Sequence, residues 1–185
     1  MKINISREVL VREAKEWGNS ILVALILTLV IRTYVVQAFK IPSLSMYPTL
    51  IIGDKLFVNK YIYRFKSPER GDIVVFKYPK DLKKDFIKRL VAVSGDEVEI
   101  RAGKIYVNGK VLDDAKSFGK FYYYNHDPYG APGEAVKVPS DSFFVLGDNS
   151  ANSQDSRFWG FVPKKNVKGK AIFRWWPLTR FGKIE

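Results

Sequence analysis

Two serines, Ser43 and Ser45, lie within residues 41–50, directly after a hydrophobic run that ends at Phe39. A serine hydroxyl becomes a useful nucleophile only when a neighbouring base takes its proton. The chain has no cysteine and one histidine, which excludes thiol catalysis and gives these serines no obvious imidazole partner. The residue types therefore point to serine chemistry with a lysine as the base.

Lys88 has the sequence context of such a base. In the strand-like run 85–93, a period of two places Lys88 on one face with Phe86 and Leu90, and Arg89 on the opposite face. One interpretation is a lysine that extends along the sheet and brings its charge to water at the edge. The other is a desolvated amine whose pKa falls from about 10.4 towards neutrality, which makes it a usable base.

A third polar element is the loop 147–157, which follows an apolar run and is dense in serine, asparagine and aspartate. Such side chains bond readily to nearby backbone, so an Asx-turn loop is one interpretation. The other is that its hydroxyls and carboxylate orient a catalytic amine, with Asp155 and Arg157 paired to hold the loop rigid. A calcium-binding loop starting at Asp148 is excluded, because its sixth position is not glycine and its twelfth is Trp159.

The elements that must position these residues read mainly as β-strands. After residue 40 the chain consists of short runs rich in β-branched and aromatic residues, with Gly, Pro, Asn and Asp between them. Asn108-Gly109 predicts a type I′ hairpin turn. The runs predicted as strands are 55–63, 72–78, 86–93, 98–100, 105–107, 110–112, 142–146 and 168–176.

The sequence predicts a mainly β fold with a core formed by residues 40–98 and 141–180. Residues 99–140 are predicted to be a small inserted β and loop domain, because much of this segment is rich in tyrosine and glycine and lacks periodicity. Residues 181–185 are predicted to be a short tail.

Residues 18–39 are predicted to form one amino-terminal transmembrane helix, because Arg32 is the only charged residue in a run close to the ~20 residues that cross a bilayer. Residues 1–17 are rich in basic side chains, which favours a cytoplasmic amino terminus. Two other interpretations stay open. One is the apolar region of a cleaved signal peptide, with a small-residue cleavage site at 36–38, and the other is a buried helix of a soluble protein.

The formal net charge of +12 favours an anionic partner. The basic residues are scattered rather than gathered into a tail or one helix face, and a predicted anchor is present. We therefore expect membrane lipid, and no nucleic acid, as the anionic partner. With no cysteine and one histidine, His126, no metal site is expected.

In these features the chain resembles the type I signal peptidases, membrane-anchored Ser/Lys endopeptidases that remove signal peptides from exported proteins. The resemblance covers nearly the whole chain and consists of four blocks in the family's order after the hydrophobic run. The blocks are PSLSMYPTL at 42–50, RGDIVVFKYP at 70–79, FIKRLVAVSGDEVE at 86–99 and GDNSANSQDSRFWG at 147–160.

The resemblance implies a catalytic dyad without a metal or an organic cofactor. Ser45 matches the family's nucleophile and Lys88 its general base. Ser43 matches the serine whose hydroxyl joins the Ser45 N–H in the oxyanion hole. The implied fold is a β-rich catalytic core with a smaller inserted domain.

The resemblance also implies supporting roles in the last block. Ser153 matches the hydroxyl that orients the lysine, and is expected to hydrogen-bond to it. Asp155 and Arg157 match the supporting acid and its basic partner, while Gly147 and Asp148 open the motif.

Three positions depart from the family's commonest pattern. Leu44 stands where glycine is usual, Ser94 replaces a frequent proline, and Ser150 replaces an arginine. None removes a catalytic group. Leu44 is expected to change backbone freedom near the oxyanion hole, and Ser150 to remove a charge pair that braces the loop.

The implied function is cleavage of amino-terminal signal peptides from exported preproteins after small residues of the Ala-x-Ala type. The implied location is the bacterial inner membrane, single-pass, with the catalytic domain on the extracytoplasmic side. Two alternatives stay open: a Ser/Lys peptidase dedicated to one substrate, and a non-enzymatic membrane-tethered β module. Six apolar residues are expected either to face lipid or to pack in the core: Ile41, Met46, Leu50, Trp159, Trp175 and Trp176.

Overall fold

The computed structural model describes residues 7–30, 36–115 and 117–184, which form two compact units. The first contains one helix, α1, Arg7–Val30. The second begins at Gln37 and contains the β structure. Its elements are β1 Val36–Lys40, β2 Lys55–Asn59, β3 Ile73–Tyr78, β4 Asp81–Ala92, β5 Glu97–Arg101, β6 Lys104–Val107, β7 Lys110–Val111, β8 Val136–Lys137, β9 Ser142–Leu146, α2 Ser156–Trp159, β10 Val162–Pro163, β11 Val167–Trp176 and β12 Gly182–Lys183.

The predicted range of the anchor, 18–39, is wrong at its carboxyl end. Helix α1 ends at Val30, and β1 is a strand hydrogen-bonded to β2. The alternation Val-Gln-Ala-Phe over 36–39 suits a strand, and Phe39 packs against a buried cluster of the β unit. Residues 31–35, which include Arg32, lie outside the described residues. No described helix combines the length and the apolar character needed to cross a membrane.

The larger sheet has the strand order β1-β2-β11-β3-β4-β9-β10, with β12 added to β11. Strand β4 pairs antiparallel with both β3 and β9, so it lies inside the sheet. Its carboxyl half is buried, whereas residues 83–85 nearer its start are exposed. Lys88 therefore lies where the buried half of an interior strand begins.

The smaller sheet has the order β7-β6-β5-β8 and comes mostly from the predicted insertion. Its β6–β7 turn places Asn108 at φ 51° and Gly109 at φ 75°, the two positive values that a type I′ turn requires. The hairpin prediction is confirmed.

Buried apolar side chains join the two sheets into one core. Ala92 and Phe144 of the larger sheet lie in the same cluster as Ile100 and Val107 of the smaller one. Burying such a side chain stabilises a fold by about 1.5–3 kcal/mol. This cluster therefore fixes the insertion against the strands β4 and β9 that flank the site.

The prediction of a mainly β fold is confirmed, and all eight predicted strands are present. Strand β2 ends earlier than expected, because the side chain of Asn59 accepts hydrogen bonds from the N–H groups of Tyr61 and Ile62 and turns the chain. The two-residue strands β8, β10 and β12 were not predicted, since two residues are too few to show alternation.

Six apolar residues are predicted from the sequence either to face lipid or to pack in the core. Most of them are core residues. Ile41, Met46 and Leu50 are at most 2% exposed and belong to one buried cluster. Trp159 is also buried, while Trp176 is 45% exposed. Met46 and Leu50 instead anchor the loop that carries the two serines.

Candidate active site

Ser45 lies in a turn between β1 and β2 that is held by its own backbone. The Tyr47 N–H donates to the Leu44 carbonyl at 3.0 Å, and the Leu50 N–H donates to the Met46 carbonyl at 2.8 Å. With the side chains of Met46 and Leu50 fully buried on either side, the turn has little freedom to move. The Ser45 hydroxyl is thereby fixed over the sheet.

Lys88 reaches Ser45 across the fold. The Lys88 ammonium nitrogen, Nζ, lies 2.7 Å from Ser45 Oγ, although the residues are 43 positions apart. Lys88 is 4% exposed and Ser45 7%. Of the two interpretations of Lys88, the structure therefore supports the buried amine, since the side chain does not extend to water. Ser43 Oγ lies 3.3 Å from Ser45 Oγ, so the three predicted groups meet.

Burial lowers the pKa of Lys88 from its ordinary value of 10.5 to about 8. The main cause is the loss of solvation of the ammonium form, which Arg157 reinforces by like-charge repulsion. The carboxylates of Asp155 and Asp148 act in the opposite direction and keep the pKa from falling further. At pH 7 about one lysine in ten would then be neutral, against one in a few thousand at the ordinary pKa.

Two hydrogen-bond donors are available for a developing oxyanion. Among the described residues, the Ser45 N–H has no hydrogen-bond acceptor. The Ser43 side chain is exposed and carries the second donor. Donors fixed beside a nucleophile are what an acyl-transfer site needs, because the negative charge appears only during reaction.

The expected hydrogen bond from Lys88 to Ser153 is not formed, and that part of the prediction is wrong. Ser153 Oγ is buried and has no hydrogen-bond partner among the described residues. Lys88 Nζ donates to Ser45 instead. Ser153 nevertheless lies at the site, because a Cβ added to Gly147 would come within 2.2 Å of Ser153 Oγ and 2.5 Å of the Ser45 carbonyl oxygen.

That close approach makes Gly147 necessary. Gly147→Ala is expected to displace the Ser45 backbone and lower kcat by about 100-fold, because a shift of about 1 Å at a catalytic group costs that much. The measurement is steady-state cleavage of a preprotein. Gly18→Ala is the control, since a Cβ there meets nothing within 4 Å and the residue has helical backbone within α1. Equal rates for wild type and Gly147→Ala would contradict the argument.

The predicted Asp155–Arg157 pair is confirmed. Arg157 Nε lies 2.8 Å from Asp155 Oδ1 and Nη2 lies 2.8 Å from Oδ2, a two-bond geometry with both side chains at most 2% exposed. Asp155 also caps α2 and accepts a hydrogen bond from the Gly147 N–H at 3.1 Å. The pair therefore ties the two ends of the loop 147–157 together.

A second buried ion pair, between Arg89 and Asp148, was not predicted. Arg89 Nε and Nη2 each lie 2.8 Å from one oxygen of Asp148, and neither side chain is exposed. The Thr49 hydroxyl donates to Asp148 Oδ2 at 2.5 Å. The signal in the sequence was Arg89 itself, because a charged side chain in an apolar row of a strand needs a buried partner of opposite charge.

The sequence predicts that Ser150 removes a charge pair that braces the loop, but in the structure Ser150 itself braces the loop. Its hydroxyl oxygen accepts from Arg157 Nη1 at 2.7 Å and from the Tyr124 N–H at 2.8 Å. Arg157 also donates to the Tyr124 carbonyl. The serine thus links the loop to the insertion through the same arginine that pairs with Asp155.

The other two departures are also accommodated. The Leu44 side chain is 47% exposed, and its carbonyl accepts from the Asn149 side-chain amide at 3.1 Å. The Ser94 hydroxyl bonds to the backbone of Ser142. The contact between Lys88 and Ser45 forms with both residues in place.

A groove of about 330 Å³ opens at the two catalytic candidates. Its walls are largely apolar, which suits small uncharged side chains of an extended peptide. Among the described residues there is no cluster of three acidic or histidine side chains suited to a metal. The exposed His126 ring contacts the Phe158 ring at an interplanar angle of 36°. The groove is lined by Pro42, Ser43, Ser45, Asp85, Phe86, Ile87, Lys88, Asn152 and Gln154.

Comparison with known proteins shows which family the chain belongs to. Residues 14–176 match the family described as signal peptidase, peptidase S26. The chain is 46% identical to the probable signal peptidase I-2 of Synechocystis sp. over 172 residues, covering 90% of this chain and 75% of that protein. It is 38% identical to signal peptidase I of Aquifex aeolicus, covering 78% and 77% of the two chains.

More distant comparisons carry related names. The thylakoidal processing peptidase 1 of Arabidopsis thaliana is 38% identical, over 85% of this chain and 47% of that protein. A crystal structure of a signal peptidase I from Enterococcus faecalis is 32% identical, with a TM-score of 0.45, and covers 57% of this chain and 97% of that one. On the family match and the extent of the identity, this chain belongs to the signal peptidases of peptidase family S26.

Proposed function

We propose that this chain is a type I signal peptidase in which Ser45 is the nucleophile and Lys88 the general base. The observation that carries the assignment of the dyad is the 2.7 Å contact between Lys88 Nζ and Ser45 Oγ in a buried setting. The reaction is cleavage of amino-terminal signal peptides from preproteins, the activity named for relatives up to 46% identical.

The reaction begins with neutral Lys88, which accepts the proton of the Ser45 hydroxyl as the oxygen attacks the scissile carbonyl. The negative charge that forms on the carbonyl oxygen is stabilised by the Ser45 N–H and the Ser43 hydroxyl. The lysine ammonium then protonates the leaving amine, and an ester remains on Ser45. Neutral Lys88 next activates a water molecule, which hydrolyses the ester and releases the signal peptide.

The groove supports a preference for small residues before the cleaved bond. Its volume of about 330 Å³ is at the small end for a ligand pocket, and Phe86 and Ile87 lie in its largely apolar walls. A peptide in extended form beside β4 would present alternate side chains to it, which agrees with the Ala-x-Ala pattern implied by the family.

Membrane attachment is part of the proposal. The first 13 residues of the segment 18–39 belong to α1, where Ile21, Leu25 and Leu29 are more than half exposed. Exposed apolar side chains along a helix are unfavourable in water and suited to lipid. We propose that α1 is the single anchor in a bacterial inner membrane, with the catalytic unit on the extracytoplasmic side and membrane lipid as a partner.

The test is cleavage of a purified preprotein with an Ala-x-Ala site by the detergent-solubilised wild-type chain, with the new amino terminus identified by mass spectrometry. One cut directly after the site supports the function. Cleavage of one preprotein among many would favour a dedicated peptidase, and binding without any cleavage would favour the non-enzymatic module.

The low pKa of Lys88 predicts an alkaline rise in activity. Because the neutral amine is the reactive form, kcat/KM should increase about tenfold per pH unit below the pKa and level off above about pH 8. Cleavage measured from pH 6 to 10 at constant ionic strength provides the check. A rise in kcat/KM centred near pH 10.5 would mean that Lys88 is not desolvated in solution. A kcat/KM that does not change with pH would remove Lys88 as the base.

A further inference from the structure

The carboxyl-terminal residues 177–184 lie beyond the part of the chain that matches the family, which ends at residue 176, yet they are built into the β unit. Strand β12 pairs with β11, and the Phe181 ring packs edge-on against Phe173 with centroids 4.7 Å apart. Ile184 packs against the buried cluster that contains Met46 and Leu50. This segment, which we call the carboxyl-terminal clasp, therefore contacts the loop that carries the nucleophile.

Arg180, in a turn of 3₁₀ helix within the clasp, makes the most specific of these contacts. Its Nη1 lies 2.7 Å from Asp54 Oδ2. Its Nη2 donates to the carbonyl oxygens of Pro48 at 3.3 Å and Thr49 at 3.2 Å. One planar guanidinium thus binds a side chain and two backbone groups of the same loop, a geometry that a lysine cannot reproduce.

Arg174 supports Arg180 from strand β11. Its Nη1 donates to the Thr49 carbonyl at 3.1 Å and lies 3.6 Å from Asp54 Oδ2, while its Nε donates to the Arg180 carbonyl. Two arginines therefore share one carboxylate and one carbonyl. Replacement of Arg180 alone leaves Arg174 in place, so the carboxylate of Asp54 keeps a nearby positive charge.

Asp54 is the point through which the clasp acts on the serine loop. It is fully buried, and its Oδ2 accepts a hydrogen bond from the Ile51 N–H at 3.0 Å. Its backbone carbonyl accepts from the Ile41 N–H, and the Gly53 N–H donates to the Ile41 carbonyl, each at 2.9 Å. The base of the loop 41–54 is closed by these bonds, and Ser43 and Ser45 lie within it.

The opposite side of the same loop is bound by the motif that begins at Gly147. The Thr49 hydroxyl donates to Asp148, and the Asn149 N–H donates to the Ser45 carbonyl at 3.1 Å. Thr49 is thus held through its hydroxyl by the catalytic core and through its carbonyl by the clasp. A loop fixed on both sides can keep the Ser45 hydroxyl within reach of Lys88 during reaction.

We propose that Arg180, which the carboxyl-terminal clasp presents to the loop 41–54, is a positioning residue for Ser45. The inference rests on the proposed function, since its effect on rate requires that Ser45 be the nucleophile. Arg180 touches no reacting atom and acts through Asp54 and the carbonyls of Pro48 and Thr49.

The first test is kinetic. Arg180→Gln is expected to lower kcat by about 10- to 100-fold while KM changes less than about twofold, because a displaced nucleophile slows the chemical step and leaves the groove intact. Arg180→Lys retains the charge beside Asp54 but loses the planar guanidinium that binds several groups at once. Its kcat should lie between that of Arg180→Gln and that of the wild type. Lys183→Gln, an exposed change in the same clasp, is the matched control and should keep the wild-type rate.

The second test does not use activity. Hydrogen exchange measured by mass spectrometry or NMR should show faster exchange at the amides of Leu50, Ile51 and Gly53 in Arg180→Gln, with exchange in β5 and β6 unchanged. Those three amides donate the hydrogen bonds that close the loop. A wild-type chain that cleaves nothing would count against the proposed function, while this comparison would still test the clasp.

Wild-type kcat together with unchanged loop exchange in Arg180→Gln would overturn the inference. So would a lower melting temperature with unchanged kcat per folded molecule, since Arg180 would then serve stability alone. If Arg180→Gln does not accumulate as folded protein, Arg180→Lys decides. A loss of kcat of threefold or more with faster loop exchange supports positioning, and wild-type values overturn it.

Discussion

Replacing Lys88 by methionine, or Ser45 by alanine, is expected to lower kcat for preprotein cleavage by at least about 10⁴-fold, the scale on which loss of a nucleophile or its base acts in serine peptidases. Methionine fills a volume similar to the buried lysine but accepts no proton. Because the two groups act as one unit, the double variant should be no slower than either single variant. Cleavage by purified variants in the same detergent provides the measurement.

The matched control for Lys88→Met is Lys83→Met on the same strand, where the side chain is exposed and should not affect the rate. Folding of Lys88→Met can be checked independently. Burial of an amine with a pKa of about 8 instead of 10.5 means that Lys88 opposes folding at pH 7, by about 3 kcal/mol. Lys88→Met should therefore be inactive and more stable than wild type. An inactive variant that is also unfolded would not support the role of Lys88 as a base.

The same linkage has a defined pH window. Between about pH 8 and 10.5 the unfolded chain binds a proton at Lys88 that the folded chain has released. The free energy of unfolding of the wild type therefore rises with pH across that window, and Lys88→Met lacks this rise. The burial that would make Lys88 a base at neutral pH thus carries a cost in stability.

How far the sequence could predict this site depends on which interactions are local. Alternation along β4 predicted the apolar face on which Lys88 lies, and the adjacency of Asp155 and Arg157 predicted their pair. Both patterns extend over only a few residues. The orientation of Ser153 could not be predicted in the same way, because a hydroxyl rotates to whichever partner the folded packing brings near.

Long-range pairs were inaccessible for a different reason. The Arg89–Asp148 pair joins residues 59 positions apart, and the contact of Arg180 with Asp54 joins residues 126 apart. Nothing in composition or periodicity specifies which buried arginine meets which carboxylate. The predicted tail at 181–185 illustrates the limit, since residues 181–184 are part of the clasp. No pattern in these few residues indicates that Ile184 packs against the buried cluster that contains Met46 and Leu50.

Breaking the buried pair at Arg157 is the second change expected to have a large effect. Arg157→Met leaves the carboxylate of Asp155 fully buried without its partner, which should destabilise the fold by about 3–5 kcal/mol. Urea unfolding measures this loss. The control is Arg101→Met, whose pair with Glu99 is exposed and should contribute less than about 1 kcal/mol.

The same variant should also change the pH dependence of cleavage, because Arg157 lowers the pKa of Lys88 and Asp155 raises it. With the arginine removed and the carboxylate left, the pKa of Lys88 rises and the limb of kcat/KM moves to higher pH. Adding Asp155→Asn removes the unpaired charge, so the double variant should regain stability and its limb should return towards lower pH. If kcat/KM rose at the same pH in both variants as in the wild type, the ion pair would brace the loop without changing the pKa of Lys88. A limb that moves as expected would show that the Asp155–Arg157 pair sets the fraction of neutral lysine as well as the shape of the site.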